Sequence, residues 1–347
     1  MVPYRPHPLL RNGHLQTLMV GLHIGFRPPH NAEAIEIGLP DGEALIVHEE
    51  LAAESAPPLA TDAPLVILIH GLGGDHTSPY LQRLAYRLRQ TGLRVWRVDL
   101  RGCGQGLRLA WRPAHAGRSQ DLAAVVEQAT RRYPAAPVRI VGFSLSGNIL
   151  LKMLGEAAAG ALQPSIELSS IESALAIAPP ANLHNCADNM DRRSRKIYSH
   201  YYLRMLDKQV VQRKAVWPQW RDIPPEPRPR TIREFDAKYT APLSGFRDTD
   251  HYYTESSAMH WLSHITTPTT LLVDLHDPIV TAKSFEAVKL NQQSTQLITT
   301  SHGGHMGYFS RDRKSGSNRW MEHFVFAFLA ASSGKSVSQL SVVSSSE

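Results

Sequence analysis

The sequence predicts an α/β fold: a mostly parallel central sheet covered by helices on both faces, with a helical cap inserted late in the chain. Three observations carry this. Short apolar runs such as LVILI and PVRIV recur without polar alternation, as strands buried on both faces do. Helical stretches separate these runs, the alternation expected of parallel strands joined by crossovers. Five loops rich in Gly, His, Asp or Ser (HGLGG, RGCGQG, FSLSG, HDPIV and HGGHMG) follow strand ends, where sites form in such sheets.

The first 33 residues are rich in proline and histidine and read as an extended arm with a short helix near Leu15 to Val20. Ala34 to Leu39 and Glu43 to Glu49 flank Asp41-Gly42 and read as a β-hairpin, since Asp-Gly supplies the positive φ of a tight turn. Ala52 to Ala63 is a loop. Leu65 to His70 is the first fully buried strand and runs into HGLGG. Ser78-Pro79, as N-cap and first helical residue, opens a helix that ends before Gly92. Leu93 to Leu100 is a strand, RGCGQG a loop, and Ser119 to Arg132 a helix. Next come the strand ending at Val141, the turn at Ser144, and an apolar helix from Ile149. Ser173 to Ala178 is a strand stopped by Pro179-Pro180.

From 182 to about 262 the chain holds helical stretches, the loop IPPEPRPR and no strand pattern, which reads as the cap. Alternation resumes with a strand at Thr269 to Leu275, a helix near Thr281 to Leu290 and a strand at Thr295 to Thr300. Asn318 to Ala331 is a last helix. The main body is thus 34–333, and the Ser-rich residues 334–347 read as a disordered tail.

Two cysteines among 347 residues exclude a disulfide framework and suit a reducing compartment. The early apolar stretch Leu18 to Phe26 is far shorter than the ~20 residues a membrane helix needs, and no signal-peptide pattern opens the chain. A cytoplasmic protein is the expectation. Net charge is +6, and the segment Asn182 to Thr240 accounts for all of it, with 13 Lys and Arg against 7 Asp and Glu. The same segment holds Tyr198, Tyr201, Tyr202, Trp217 and Trp220. Aromatic rings would line an apolar acyl site there. Arg192, Arg193, Arg195 and Lys196 would face an anionic head group or lipid surface, against the plainer reading of a solvated face. No nucleic-acid module accompanies the basic residues.

Ser144 lies between a strand and a helix with Gly142 before it and Gly147 after it, the pattern of a strained nucleophile turn. Ser146 stands where a second glycine is usual. A serine hydroxyl needs a base, and the base a carboxylate. Asp277 follows the strand at Thr269 to Leu275, and His305 follows the last strand. Asp274 and His302 are their rivals; Asp274 still lies within its strand pattern, and His302 precedes the two glycines that let His305 swing back. An oxyanion would take backbone amides, and those of Leu145 and Leu72 are placed for it. His70, ending a buried strand, reads as a structural histidine, and Cys103 as a packed small residue. No HExxH or Cys/His spacing marks a metal site, and no cofactor is expected.

With these residues, the chain resembles the YheT-like branch of the α/β-hydrolases, whose members carry esterase names. The resemblance rests on N-G-H-L-Q-T at Asn12 to Thr17, H-G-L-G-G at His70 and R-G-C-G at Arg101. It continues in H-A-G…D at His115 to Asp121, G-F-S-L-S-G-N, H-D-P and G-G-H-M-G-Y. It implies the α/β-hydrolase fold and a triad of Ser144, Asp277 and His305. Two positions depart from the family pattern. Ser146 replaces glycine, which would tighten the turn, and D-L-H-D-P replaces N-x-x-D-D-P, which leaves Asp277 without an acidic neighbour. Relatives in eukaryotes include lipid and ester hydrolases and acyl-transferring enzymes. The expectation is a serine carboxylic-ester hydrolase acting on short- to medium-chain or lipid esters. Acyl transfer to an alcohol and a non-catalytic binding protein on the same scaffold are the alternatives.

Overall fold

In the computed structural model, which describes residues 3–22, 25–29, 31–51, 58–286, 288–314 and 317–330, the Asp41-Gly42 turn is formed as its chemistry requires, with Gly42 at φ 82°. Before it, helix α1 (Gly13–Gly21) is capped by the Asn12 side chain, which accepts from the His14 amide. The hairpin pairs β1 (Ala32–Gly38) with β2 (Ala44–Glu50). Then β3 (Leu65–Ile69), α2 (Pro79–Arg89), β4 (Arg94–Asp99), α3 (Ser119–Arg132), β5 (Val138–Phe143), α4 (Leu145–Ala158) and β6 (Ile171–Ile177) alternate. The stretch before the next strand is helical. It contains α5 (Leu183–Asp191), α6 (Lys196–Val216), short helical turns at Pro218–Arg221 and Ile232–Phe235, and α7 (Thr249–Ser256). β7 (Thr269–Asp274) and β8 (Thr295–Thr300) complete the sheet, and α8 (Trp320–Ala330) closes the described chain.

The sheet runs β1-β2-β4-β3-β5-β6-β7-β8, parallel from β4 to β8, with β2 antiparallel to both its neighbours. The chain leaves β3 toward β4 and then crosses back to β5 on the other side of β3. The carboxyl ends of β3 and β5 therefore flank a reversal of strand order, the place where parallel sheets open a crevice.

Burial explains the missing alternation in β3. Leu65, Ile67 and Ile69 pack in the layer of α3 and α4, while Val66 and Leu68 pack on α2 and α8. Each such side chain contributes about 1.5–3 kcal/mol by leaving water. On α2, Leu81, Leu84 and Leu88 share one buried stripe.

The structure corrects the sequence reading in three places. Among the described residues, the stretch near Thr281 to Leu290 holds only a 3-10 turn at Ala282–Phe285, whose tighter winding carries Phe285 into the core. A hairpin of β9 (Phe309–Lys314) and β10 (Ser317–Arg319) takes up the start of the expected last helix. Ser78 holds the N-cap position of α2 without capping it; its hydroxyl accepts from the Asp75 amide at 3.4 Å. The expected tail, 334–347, lies outside the described residues. Among those described, no helix is long and apolar enough to cross a membrane.

Candidate active site

At the end of β5 the chain turns directly into α4 through Ser144, whose φ of 51° and ψ of −116° are strained for a residue with a side chain. The turn has no room for larger neighbours. A Cβ on Gly142 would stand 2.4 Å from the Ser146 carbonyl oxygen, and one on Gly147 3.0 Å from Pro179 Cβ. Ser146 fits because its hydroxyl donates to the His70 carbonyl, tying the turn to the loop after β3. The departure from glycine is a cross-link between two loops.

Ser144 Oγ lies 2.8 Å from His305 Nε2, and His305 Nδ1 lies 2.9 Å from Asp277 Oδ2. The other Asp277 oxygen accepts from the amides of Ile279 (2.7 Å) and Val280 (3.0 Å), which orients the carboxylate. A carboxylate accepts only, so Nδ1 carries the ring proton and Nε2 is left to accept from Ser144. All three residues are buried. The rivals do other work. Asp274 accepts from the His276 and Gly303 amides and from the Thr300 hydroxyl, closing the loops after β7 and β8. Its burial raises its pKa. His302 stacks on His276 with ring centroids 4.7 Å apart, and its Nδ1 meets the Arg11 carbonyl at 3.1 Å.

The Asn12 to Thr17 stretch, whose role sequence reasoning leaves open, supports the histidine. The His305 amide donates to Thr17 Oγ1 at 2.8 Å, and that hydroxyl donates to the Gly13 carbonyl at 2.7 Å. Gln16, fully buried, donates to the Leu10 carbonyl and accepts from the Phe309 amide. Gly13 is obligatory here, since a Cβ would fall 1.9 Å from the His276 carbonyl oxygen. The arm also reaches α6: His14 stacks on Tyr198 (5.7 Å) and meets its hydroxyl at 2.7 Å and Arg195 at 2.5 Å. Arg195 is thus held by the arm, whereas Arg192, Arg193 and Lys196 are exposed.

The amide of Leu145, first in α4, has no carbonyl one turn back to reach. That of Leu72 follows β3 in the loop that touches the serine; a Cβ on Gly71 would lie 3.2 Å from Ser144 Cβ. Two cavities meet at Ser144. An inner one of about 120 Å³ runs among Leu100, Leu183, Met190, Leu206, Val210 and Phe235. An outer one of about 420 Å³ lies between α1 and α6, lined by Leu18, Leu22, Ile197, Tyr201, Met205 and His305. Tyr202 borders both, Tyr198 the outer and Trp220 the inner. Trp217, expected at the acyl site, lines neither; its indole N–H donates to the Leu107 carbonyl. A serine activated by an imidazole, between two cavities and beside free amides, can attack an acyl carbonyl and hold the resulting oxyanion.

The model of the alpha/beta hydrolase family matches residues 66–314. The chain belongs to that family. It is 28% identical to YheT of Escherichia coli, which carries an esterase name, over 86% of this chain and 84% of that protein. It is 27% identical to the monoacylglycerol lipase of Saccharomyces cerevisiae over 79% of this chain and 61% of that one. Mouse phospholipase ABHD3 is likewise 27% identical, over 72% and 59%. The Pyrococcus furiosus esterase Pf2001 shares the fold, with a TM-score of 0.52 at 15% identity over 88% of this chain and 94% of that one.

Elsewhere at the sheet edge of this hydrolase, His70 donates from Nδ1 to the Gly71 carbonyl and accepts the Leu100 amide at Nε2. Its burial lowers its pKa, so it serves as a neutral structural link. Burial lifts the Cys103 thiol to about 12, which fits a packed residue. One group escaped sequence reasoning: His48 Nε2 and His76 Nδ1 meet Asp99 Oδ2 at 3.0 and 2.9 Å, all three buried. Burial would raise the Asp99 pKa, but the hydrogen bonds from both rings outweigh it and hold the carboxyl below its usual range. The rings stack 3.5 Å apart and nearly parallel, both donating to one carboxylate. Three separate elements supply these residues, so no local spacing could reveal them.

Proposed function

We propose that this hydrolase is a serine carboxylic-ester hydrolase working through an acyl-enzyme, with Ser144, His305 and Asp277 as its triad. The observation that carries the reading is the unbroken relay from Asp277 through His305 to a serine held at positive φ where two cavities meet. His305 Nε2 takes the Ser144 proton as Oγ attacks the ester carbonyl. The amides of Leu72 and Leu145 stabilise the oxyanion. As the tetrahedral adduct collapses, His305 gives its proton to the leaving alcohol. Water, deprotonated by His305, then attacks the acyl-enzyme, and Ser144 regains its proton as the acid leaves. Acyl transfer would differ only in an alcohol replacing that water.

In this reading the slimmer inner cavity takes the acyl chain, and the outer cavity takes the alcohol portion. The outer rim favours a lipid ester. Leu22 is 61% exposed and Ile197 54%, beside the half-exposed Leu18 and Tyr201, with exposed Arg193 and Lys196 nearby on the chain. Apolar side chains flanked by cations suit peripheral contact with an anionic lipid surface.

A p-nitrophenyl ester series of increasing acyl length, run on wild type and Ser144→Ala, tests the chemistry. Turnover that survives in Ser144→Ala overturns it. For the rim, sedimentation with phosphatidylglycerol vesicles should exceed that with phosphatidylcholine vesicles. Equal recovery with both would remove the lipid-surface reading.

A further inference from the structure

His115 belongs to a motif that the proposed reaction does not use. It lies in the loop before α3, held on both sides: the Ala116 amide donates to the Tyr252 hydroxyl at 3.1 Å, and the Ala116 carbonyl accepts from Asn148 Nδ2 at 3.0 Å. Phe246 and Tyr252 flank the imidazole edge-on, with centroids 5.2 and 5.6 Å away, so the ring is fixed. Only 6% of the residue is exposed.

Nδ1 accepts from the Gly117 amide at 3.0 Å. Burial first, then the charges of Arg118, Arg101 and Lys152, drive the pKa well below the ordinary range, so the ring is neutral. A neutral imidazole that accepts at Nδ1 carries its proton on Nε2. Among the described residues no acceptor meets that proton. His115 lines the inner cavity, which Ser144 also borders. A buried donor without a partner is costly, and a ligand oxygen would relieve it.

We propose that His115 is a specificity-determining residue of the inner cavity, its Nε2–H binding an oxygen acceptor, hydroxyl or carbonyl, borne by the acyl chain. The inference rests on the ester-hydrolase reading with the acyl chain in that cavity. A site built to bond a polar group discriminates strongly against analogues that lack it.

The test compares ethyl octanoate with its oxo analogues, a set of isomers in which one keto group is moved carbon by carbon along the acyl chain. kcat/KM is measured by pH-stat and divided by each ester's rate of alkaline hydrolysis. Wild type should favour at least one isomer by about tenfold, the effect of one hydrogen bond. His115→Phe should bring that ratio near one, and His115→Gln, which keeps a donor, should restore part of it. A flat profile in wild type, or a preference that survives in His115→Phe, overturns the subsite and leaves ester hydrolysis standing. The wild-type scan decides even where a variant does not fold. Failure to hydrolyse any ester would instead overturn the ester-hydrolase reading, and this inference with it.

Discussion

Two buried Asp–His clusters stand at the same edge of the sheet, and they end differently. In one, Asp277 holds a single ring, and the far nitrogen of that ring meets a hydroxyl that opens on two cavities. In the other, Asp99 gathers the rings of His48 and His76, the His76 amide and the Gln105 amide, and neither histidine borders those cavities. Residue types, burial and distances are much alike. What separates them is the open end: a relay can do chemistry only where it stops at a nucleophile with space beside it. The closed cluster instead ties β2, the loop after β3 and β4 together.

Substitutions in the two clusters should therefore have opposite signatures. The largest effect is expected from Ser144→Ala, at least ~10⁴-fold in kcat with Tm unchanged, read by ester turnover and loss of fluorophosphonate labelling. Asp277→Asn should follow, at about 10⁴-fold. Asp274→Asn should cost less than about tenfold in kcat and show instead as a lowered Tm, because its partners are loop groups. If Asp274→Asn proves the more damaging to kcat, the roles are exchanged.

For Asp99→Asn the expectation is reversed. Breaking a buried, charge-assisted cluster costs about 3–5 kcal/mol in chemical denaturation, while turnover per fluorophosphonate-labelled site stays within a few-fold of wild type. The cluster also predicts a pH signature. The folded pKa of Asp99 is depressed, so its stabilisation is complete above the unfolded value of about 3.9 and is lost as pH falls through the lower folded value. Asp99→Asn should flatten the acid limb of stability against pH; an unchanged limb would assign acid sensitivity elsewhere. The last effect concerns the arm. Thr17→Val removes the acceptor for the His305 amide and should cost about tenfold in kcat, with Thr17→Ser near wild type. Equal rates for the two would show that the arm packs without positioning the histidine.

Much of this was legible locally. The unbroken LVILI and PVRIV runs announce strands buried on both faces, Asp-Gly announces its hairpin, and small residues around Ser144 announce a turn no bulky neighbour could enter. Asp277 was separable from Asp274 by lying beyond its strand. Local pattern failed where packing overrode it: Phe285 looks helical in sequence yet reaches the core from a 3-10 turn. It failed again at Trp217, whose indole N–H a backbone carbonyl holds away from both cavities.

What the chain determined by itself is whatever depends on neighbours in sequence: periodicity, turn chemistry, and the order in which serine, aspartate and histidine follow strand ends. What only tertiary structure decided is which distant loops share a site. Thr17 meets His305, Ser146 meets the His70 carbonyl, and His48, Asp99 and His76 converge from three elements. Each of these bonds spans dozens to hundreds of residues. It exists because the strand order β4-β3-β5 and the close fit of Gly13 against the loop after β7 bring those groups within about 3 Å, a distance no spacing along the chain encodes.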